Sequence, residues 1–155
     1  MYRPVKDLGQ ITNLIAMNKP LAAALISLVA AQLLKLITYF FHTRKWNFRH
    51  LVTSGGLPSS HTSMVAALAT AVGLDNGWSS PNFAISFVFS CIVMYDAAGV
   101  RRAAGKQARV LNQIMVDLVN KKNIPGEKLS ELLGHTPFEV FAGATLGVLI
   151  AFLLY

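Results

Sequence analysis

The chain has 155 residues, 54% of them hydrophobic and only 14% charged, with a mean hydropathy of +0.48. A soluble domain carries about 25% charged residues, so this composition excludes an aqueous globular domain and points to one membrane domain over residues 1–155. The net charge of +7 comes from 14 Lys and Arg against 7 Asp and Glu, and the cations cluster in connections between apolar runs. That distribution favours membrane lipids and anionic lipid phosphates as partners and argues against nucleic acid.

In chain order, residues 1–19 place Val5, Leu8, Ile11 and Ile15 at helical spacing, which predicts an interfacial N-terminal helix. An apolar run from about Pro20 to Phe41 reaches the roughly 20 residues a helix needs to cross the hydrocarbon core. It ends in Phe40-Phe41-His42-Thr43-Arg44 with no small-residue cleavage site, so it reads as a retained span. A second, short span from about Ser59 to Leu74 is rich in Ala and interrupted by Thr62, Ser63, Thr70 and Gly73, which suits close helix packing. Asp75-Asn76-Gly77 with Ser79-Ser80-Pro81 predicts a tight turn. The third span runs from about Asn82 to Val100, with lone Cys91 expected as a small buried hydrophobe.

Arg101 to Val119 reads as an amphipathic helix near the headgroups. Its apolar face holds Ala104, Ala108, Leu111, Met115 and Leu118, with Arg102, Lys106, Arg109 and Asn112 elsewhere. Ile124-Pro125-Gly126 breaks it, and Glu127 to Leu133 is expected as a last short helix. The fourth span, about Pro137 to Tyr155, carries Gly143 and Gly147 at a spacing that favours general close packing. The expected fold is an all-α polytopic bundle of about four transmembrane helices plus a cytoplasmic-side amphipathic helix, with residues 20–155 as the core. It is compatible with a homo-oligomer.

Four spans put the connections of residues 42–58 and 101–136 on one side. These hold Arg44, Lys45 and Arg49, and Arg101, Arg102, Lys106, Arg109, Lys121, Lys122 and Lys128. The opposite side has Arg3, Lys6 and Lys19 and only Asp75 in its turn, so the positive-inside rule places both connections in the cytoplasm.

Those connections carry the chemistry. In Gly55-Gly56-Leu57-Pro58-Ser59-Ser60-His61 the proline suits a helix start, whose free N–H groups and dipole form an anion site. His61 then stands where a leaving oxygen needs a proton donor. In Gly134-His135-Thr136-Pro137-Phe138-Glu139, His135 and Glu139 are four residues apart and share a helix face. A carboxylate on one ring nitrogen fixes the tautomer and frees the other to attack phosphorus. Lys35, inside the first span, is either a snorkelling lysine or a phosphate cation beside Arg49, Arg101 and Arg102. Asp96 is expected to pair with Lys35 or an arginine, and His42 and His50 to be interfacial. None of the four histidines has metalloprotease spacing, so no metal and no cofactor is expected.

Pro58-Ser59-Ser60-His61 resembles the Pro-Ser-Gly-His motif of the type 2 phosphatidic acid phosphatase and vanadium haloperoxidase superfamily. His135-x3-Glu139 resembles its His-x3-Asp element, with glutamate in place of aspartate. With Tyr95-Asp96-Ala97-Ala98-Gly99-Val100-Arg101-Arg102-Ala103-Ala104-Gly105-Lys106, the chain from Pro20 onward is similar to the divergent branch of that superfamily, small bacterial and plastid membrane proteins. The resemblance implies His135 as the nucleophile of a phosphohistidine mechanism, Glu139 as its orienting partner and His61 as the acid. Ser59 and Ser60 would belong to the phosphate site, Ser60 through its backbone N–H. The superfamily's Lys-x6-Arg-Pro element is not present as written, which leaves Lys35, Lys45 and Arg49 as candidates. Its Ser-Arg pair normally sits just before the nucleophile, whereas Arg101 and Arg102 lie far upstream of His135, so the connection has to fold back. The reading is a membrane lipid-phosphate or lipid-diphosphate phosphatase in a bacterial cell membrane, with its active site on the cytoplasmic side. Phosphatidate, phosphatidylglycerophosphate and a polyprenyl diphosphate are candidate substrates. The alternatives are a non-catalytic lipid-phosphate binder or carrier with the same cationic pocket, and a structural membrane subunit.

Overall fold

Small residues decide where the helices of this chain touch. The computed structural model describes residues 18–44, 56–122 and 134–155, in five helices. These are α1 (Lys19–Thr43), α2 (Ser60–Asn76), α3 (Pro81–Ala98), α4 (Val100–Lys122) and α5 (Pro137–Leu154). The expected interfacial helix before Asn18, the short helix over Glu127–Leu133, Lys45, Arg49 and His50 lie outside the described residues.

Each start has a local cause. Asn18 accepts the Leu21 N–H at 3.0 Å to cap α1, and Ser80 accepts the Phe83 N–H at 3.2 Å to cap α3. Proline occupies the first turn of α1, α3 and α5, where its missing N–H costs nothing. Pro58 departs from expectation. It precedes the cap, which is Ser59, and its peptide bond with Leu57 is cis. The turn between α2 and α3 closes at Gly77, whose φ of 86° suits glycine.

Three stretches are long and apolar enough to cross a membrane: Lys19–Thr43, Pro81–Val116 (α3 continued into α4) and Pro137–Leu154. Helix α2, with 17 residues, spans about 25 Å, short of the roughly 30 Å of hydrocarbon. It compensates by position. Ten of its residues are buried, nearly all Ala, Ser, Thr or Gly, and it packs against α1, α3 and α5. The result is an all-α membrane bundle with a small-residue helix at its centre.

Backbone approach sets the register. Helix α1 runs antiparallel to α2: the Ser27 and Ser63 hydroxyls meet at 2.6 Å, and Thr38 donates to the Leu57 carbonyl at 2.8 Å. Helix α3 also runs antiparallel to α2, with Ser90 donating to the Val65 carbonyl at 2.8 Å. Helix α5 runs parallel to α2. A Cβ on Gly143 would overlap the Ser59 carbonyl oxygen, and one on Gly147 the Ser63 carbonyl oxygen. Ala23, Ala71 and Ala151 close the seam, all fully buried.

Two expectations change. Cys91 is exposed, not buried, because α3 turns Ser86, Ser90 and Ala97 inward and leaves Val88, Cys91 and Ile92 for lipid. On α4 the covered face carries Gly105, Ala108, Asn112 and Met115, while Leu111 and Leu118 are exposed.

Candidate active site

The end of the bundle where α1 and α3 finish and α2 and α5 begin gathers both histidine motifs. Ser59 donates its N–H to the Glu139 carbonyl at 3.1 Å, tying the α2 cap to the first turn of α5. His135 donates its N–H to the Ala97 carbonyl at 3.1 Å, tying the α5 approach to the end of α3. The second bond answers the long connection between the arginines and His135. Residues 101 and 102 open α4 directly after α3, so the chain folds back and brings His135 beside the turn that holds them. Their side chains lie outside the described residues.

His135 is 2% exposed, and its Nδ1 lies 2.9 Å from Glu139 Oε2. A carboxylate only accepts, so Nδ1 carries the proton, and in the neutral ring Nε2 presents a lone pair. Nε2 is buried and has no hydrogen-bond partner among the described residues. An orphaned buried polar atom is costly, and functional sites are where such costs are retained. The same Oε2 accepts the Thr136 N–H at 3.1 Å, while the Glu139 N–H approaches Thr136 Oγ1 at 3.3 Å. Thr136 and Glu139 thus form a capping box, and the carboxylate that holds the imidazole is itself held by the helix start.

Lys35 is 2% exposed although it carries an ammonium. Its stem lies under Gly56, where an added Cβ would stand 3.0 Å from Lys35 Cγ, so the glycine lets the loop close over the lysine. The Glu139 carboxylate is within electrostatic reach of that ammonium. Ser59 is fully buried; its hydroxyl caps α2, at 3.0 Å from Thr62 Oγ1, and its N–H serves Glu139. That leaves the Ser60 N–H, in the first helical turn, without an intrahelical acceptor. His61 follows on the exposed side of the turn, and Asp96 is half-buried in the last turn of α3.

Of the residues singled out in sequence, the structure gathers Lys35, Ser59, Ser60, His61, Asp96, His135 and Glu139 at this end, with the backbone of Arg101 and Arg102. Sequence reasoning missed Thr136, although Thr-x-x-Glu before an apolar run is a legible capping signal. It also missed Ala97, which acts through its carbonyl and leaves no mark in residue type.

Fold and site together define an integral membrane helix bundle with a carboxylate-held histidine and a second histidine motif at the same end. The chain belongs to the divergent PAP2 family, whose model matches residues 16–150. It is similar to the uncharacterized membrane protein YuiD of Bacillus subtilis (strain 168), 42% identical over 148 residues that cover 88% of this chain and 94% of that one. No solved structure matches it. Membership ties the chain to a phosphatase-related superfamily.

Proposed function

We propose that the protein is a lipid-phosphate or lipid-diphosphate phosphatase working at the cytoplasmic leaflet through a phosphohistidine. The observation that carries this reading is His135, buried, with Nδ1 held by Glu139 and Nε2 unpartnered among the described residues. Nε2 attacks the terminal phosphorus, the bond from that phosphorus to the oxygen on its lipid side breaks, and His61 protonates the departing oxygen, that of an alkoxide from a lipid phosphate or of a lipid monophosphate from a diphosphate. Water then attacks the phosphohistidine, His61 takes its proton, and phosphate leaves with His135 restored. Lys35, Arg49, Arg101 and Arg102 supply cations, and the Ser60 N–H a fixed dipole, for charge that spreads over the equatorial oxygens. Ser59 acts by fixing the turn that presents Ser60, and Asp96 balances the cations nearby. The scheme uses no metal.

Phosphate release by the purified protein in detergent, from a panel of lipid phosphates and diphosphates, tests the proposal. His135→Ala is expected to abolish release while lipid binding persists. Release equal to the parent would remove His135 as nucleophile. Binding without turnover in the parent would make the protein a lipid-phosphate binder.

A further inference from the structure

Only two buried polar side-chain atoms lack a hydrogen-bond partner among the described residues: His135 Nε2, used above, and Gln32 Oε1. Gln32 lies on α1, inside the first membrane span. There water cannot freely satisfy an amide, and a retained polar group marks a functional contact. We infer that Gln32 is a specificity residue of the lipid-phosphate site, accepting a hydrogen bond from a free hydroxyl that the lipid carries next to its phosphate.

Position supports this. Gln32 precedes Lys35 by three residues, about 4.5 Å along the helix and about 60° around it. The step leads from the histidine end toward the Ser27–Ser63 contact, hence toward the middle of the membrane. A lipid whose phosphate sits at Lys35 and His135 directs its first carbons, and any hydroxyl on them, to that depth.

The orphan atom is an acceptor, so it distinguishes lipids by whether they donate. A lysophosphatidate or a glycerophosphate headgroup carries a hydroxyl beside the phosphate. A diacylated phosphatidate or a polyprenyl diphosphate carries none. The inference rests on the lipid-phosphate reading proposed above and adds the substrate class.

The test uses full-length protein in nanodiscs, with His135→Ala to stop turnover. Two matched probes are titrated by native mass spectrometry: an oleoyl lysophosphatidate with a free 2-hydroxyl, and its 2-O-methyl ether. The hydroxyl lipid is expected to bind about tenfold more tightly, one buried hydrogen bond. Adding Gln32→Leu is expected to make the two lipids bind alike, whereas Gln32→Glu, which keeps a carbonyl but has no N–H, keeps the preference. Equal binding of both probes before any change at Gln32 overturns the inference and needs no further variant. So does a preference that survives Gln32→Leu. Phosphate release by the unsubstituted protein reads the other proposal separately. Preference without release would retain Gln32 and remove the phosphohistidine, and release without preference would do the reverse.

Discussion

Glu139 joins three jobs in one residue. Its carbonyl receives the Ser59 N–H, its N–H faces the Thr136 hydroxyl, and its Oε2 holds both the Thr136 N–H and the His135 ring. Charge and hydrogen bonding can therefore be separated by substitution. Glutamine also satisfies a capping box, so Glu139→Gln is expected to shift the unfolding midpoint by no more than a few degrees. It removes the negative charge that stabilises the imidazole's proton, and phosphate release is expected to fall on the order of 10²-fold. Glu139→Ala loses the cap too, at a cost of about 1 kcal/mol. Thermal unfolding in detergent beside a phosphate assay checks both. A glutamine variant as fast as the parent would mean that the carboxylate only caps the helix. The His135–Glu139 pairing was legible from the four-residue spacing, but not its geometry: His135 precedes the Thr136 cap and meets Glu139 across the start of α5, not along a shared helical face. The Ser59 and Ala97 contacts were not legible, because backbone groups bond without regard to side chain, and only the packed helices say which ones meet.

At the scale of elements, the parallel pair α2 and α5 positions the site. Gly143 and Gly147 lie against the carbonyls of Ser59 and Ser63, so a methyl group at either position forces the helices apart. Overpacking of this kind costs about 1–3 kcal/mol. Both Gly143→Ala and Gly147→Ala are expected to lower the unfolding midpoint in detergent. Their effects on activity should differ. Gly143 touches the residue that anchors Glu139, so its substitution also displaces the turn at the candidate site, whereas Gly147 lies one turn deeper. Equal activity loss at matched stability would mean that the seam sets stability alone. Sequence spacing announced these glycines as a packing face, yet it could not name α2 as the partner. Hydropathy likewise located the long spans well. It read the centre of the bundle as a weak, short span, since a helix surrounded by other helices needs small residues more than greasy ones. For the same reason Cys91 was expected inside and lies outside: composition marks α3 as apolar all round, and only contacts reveal which side meets α2.

Across the whole molecule the decisive property is sidedness. Antiparallel α1 and α3 finish where parallel α2 and α5 start, so the four ends that build the site share one end of the bundle, and the turn holding Asp75 and Asn76 lies at the other. That arrangement was legible from span counting alone, because two apolar spans, those that became α2 and α3, separate the two motifs. The cations in the connections put the histidine end in the cytoplasm by the positive-inside rule, and that orientation is an expectation to be tested. Impermeant maleimide labelling settles it. In a Cys91→Ser background, single cysteines at His42 and Lys106, both exposed at or beyond the histidine end, are expected to label in inside-out vesicles and to be protected in intact cells. Cysteines at the exposed Asn76 and Ser79 are expected to show the reverse. If His42 and Lys106 label from opposite faces, the connection through α4 does not lie on the histidine side, and Arg101 and Arg102 leave the phosphate site. If both label only from outside, the site keeps its geometry and its substrate comes from the outer leaflet, which reverses the positive-inside reading: the cations then serve the bound phosphate rather than the topology.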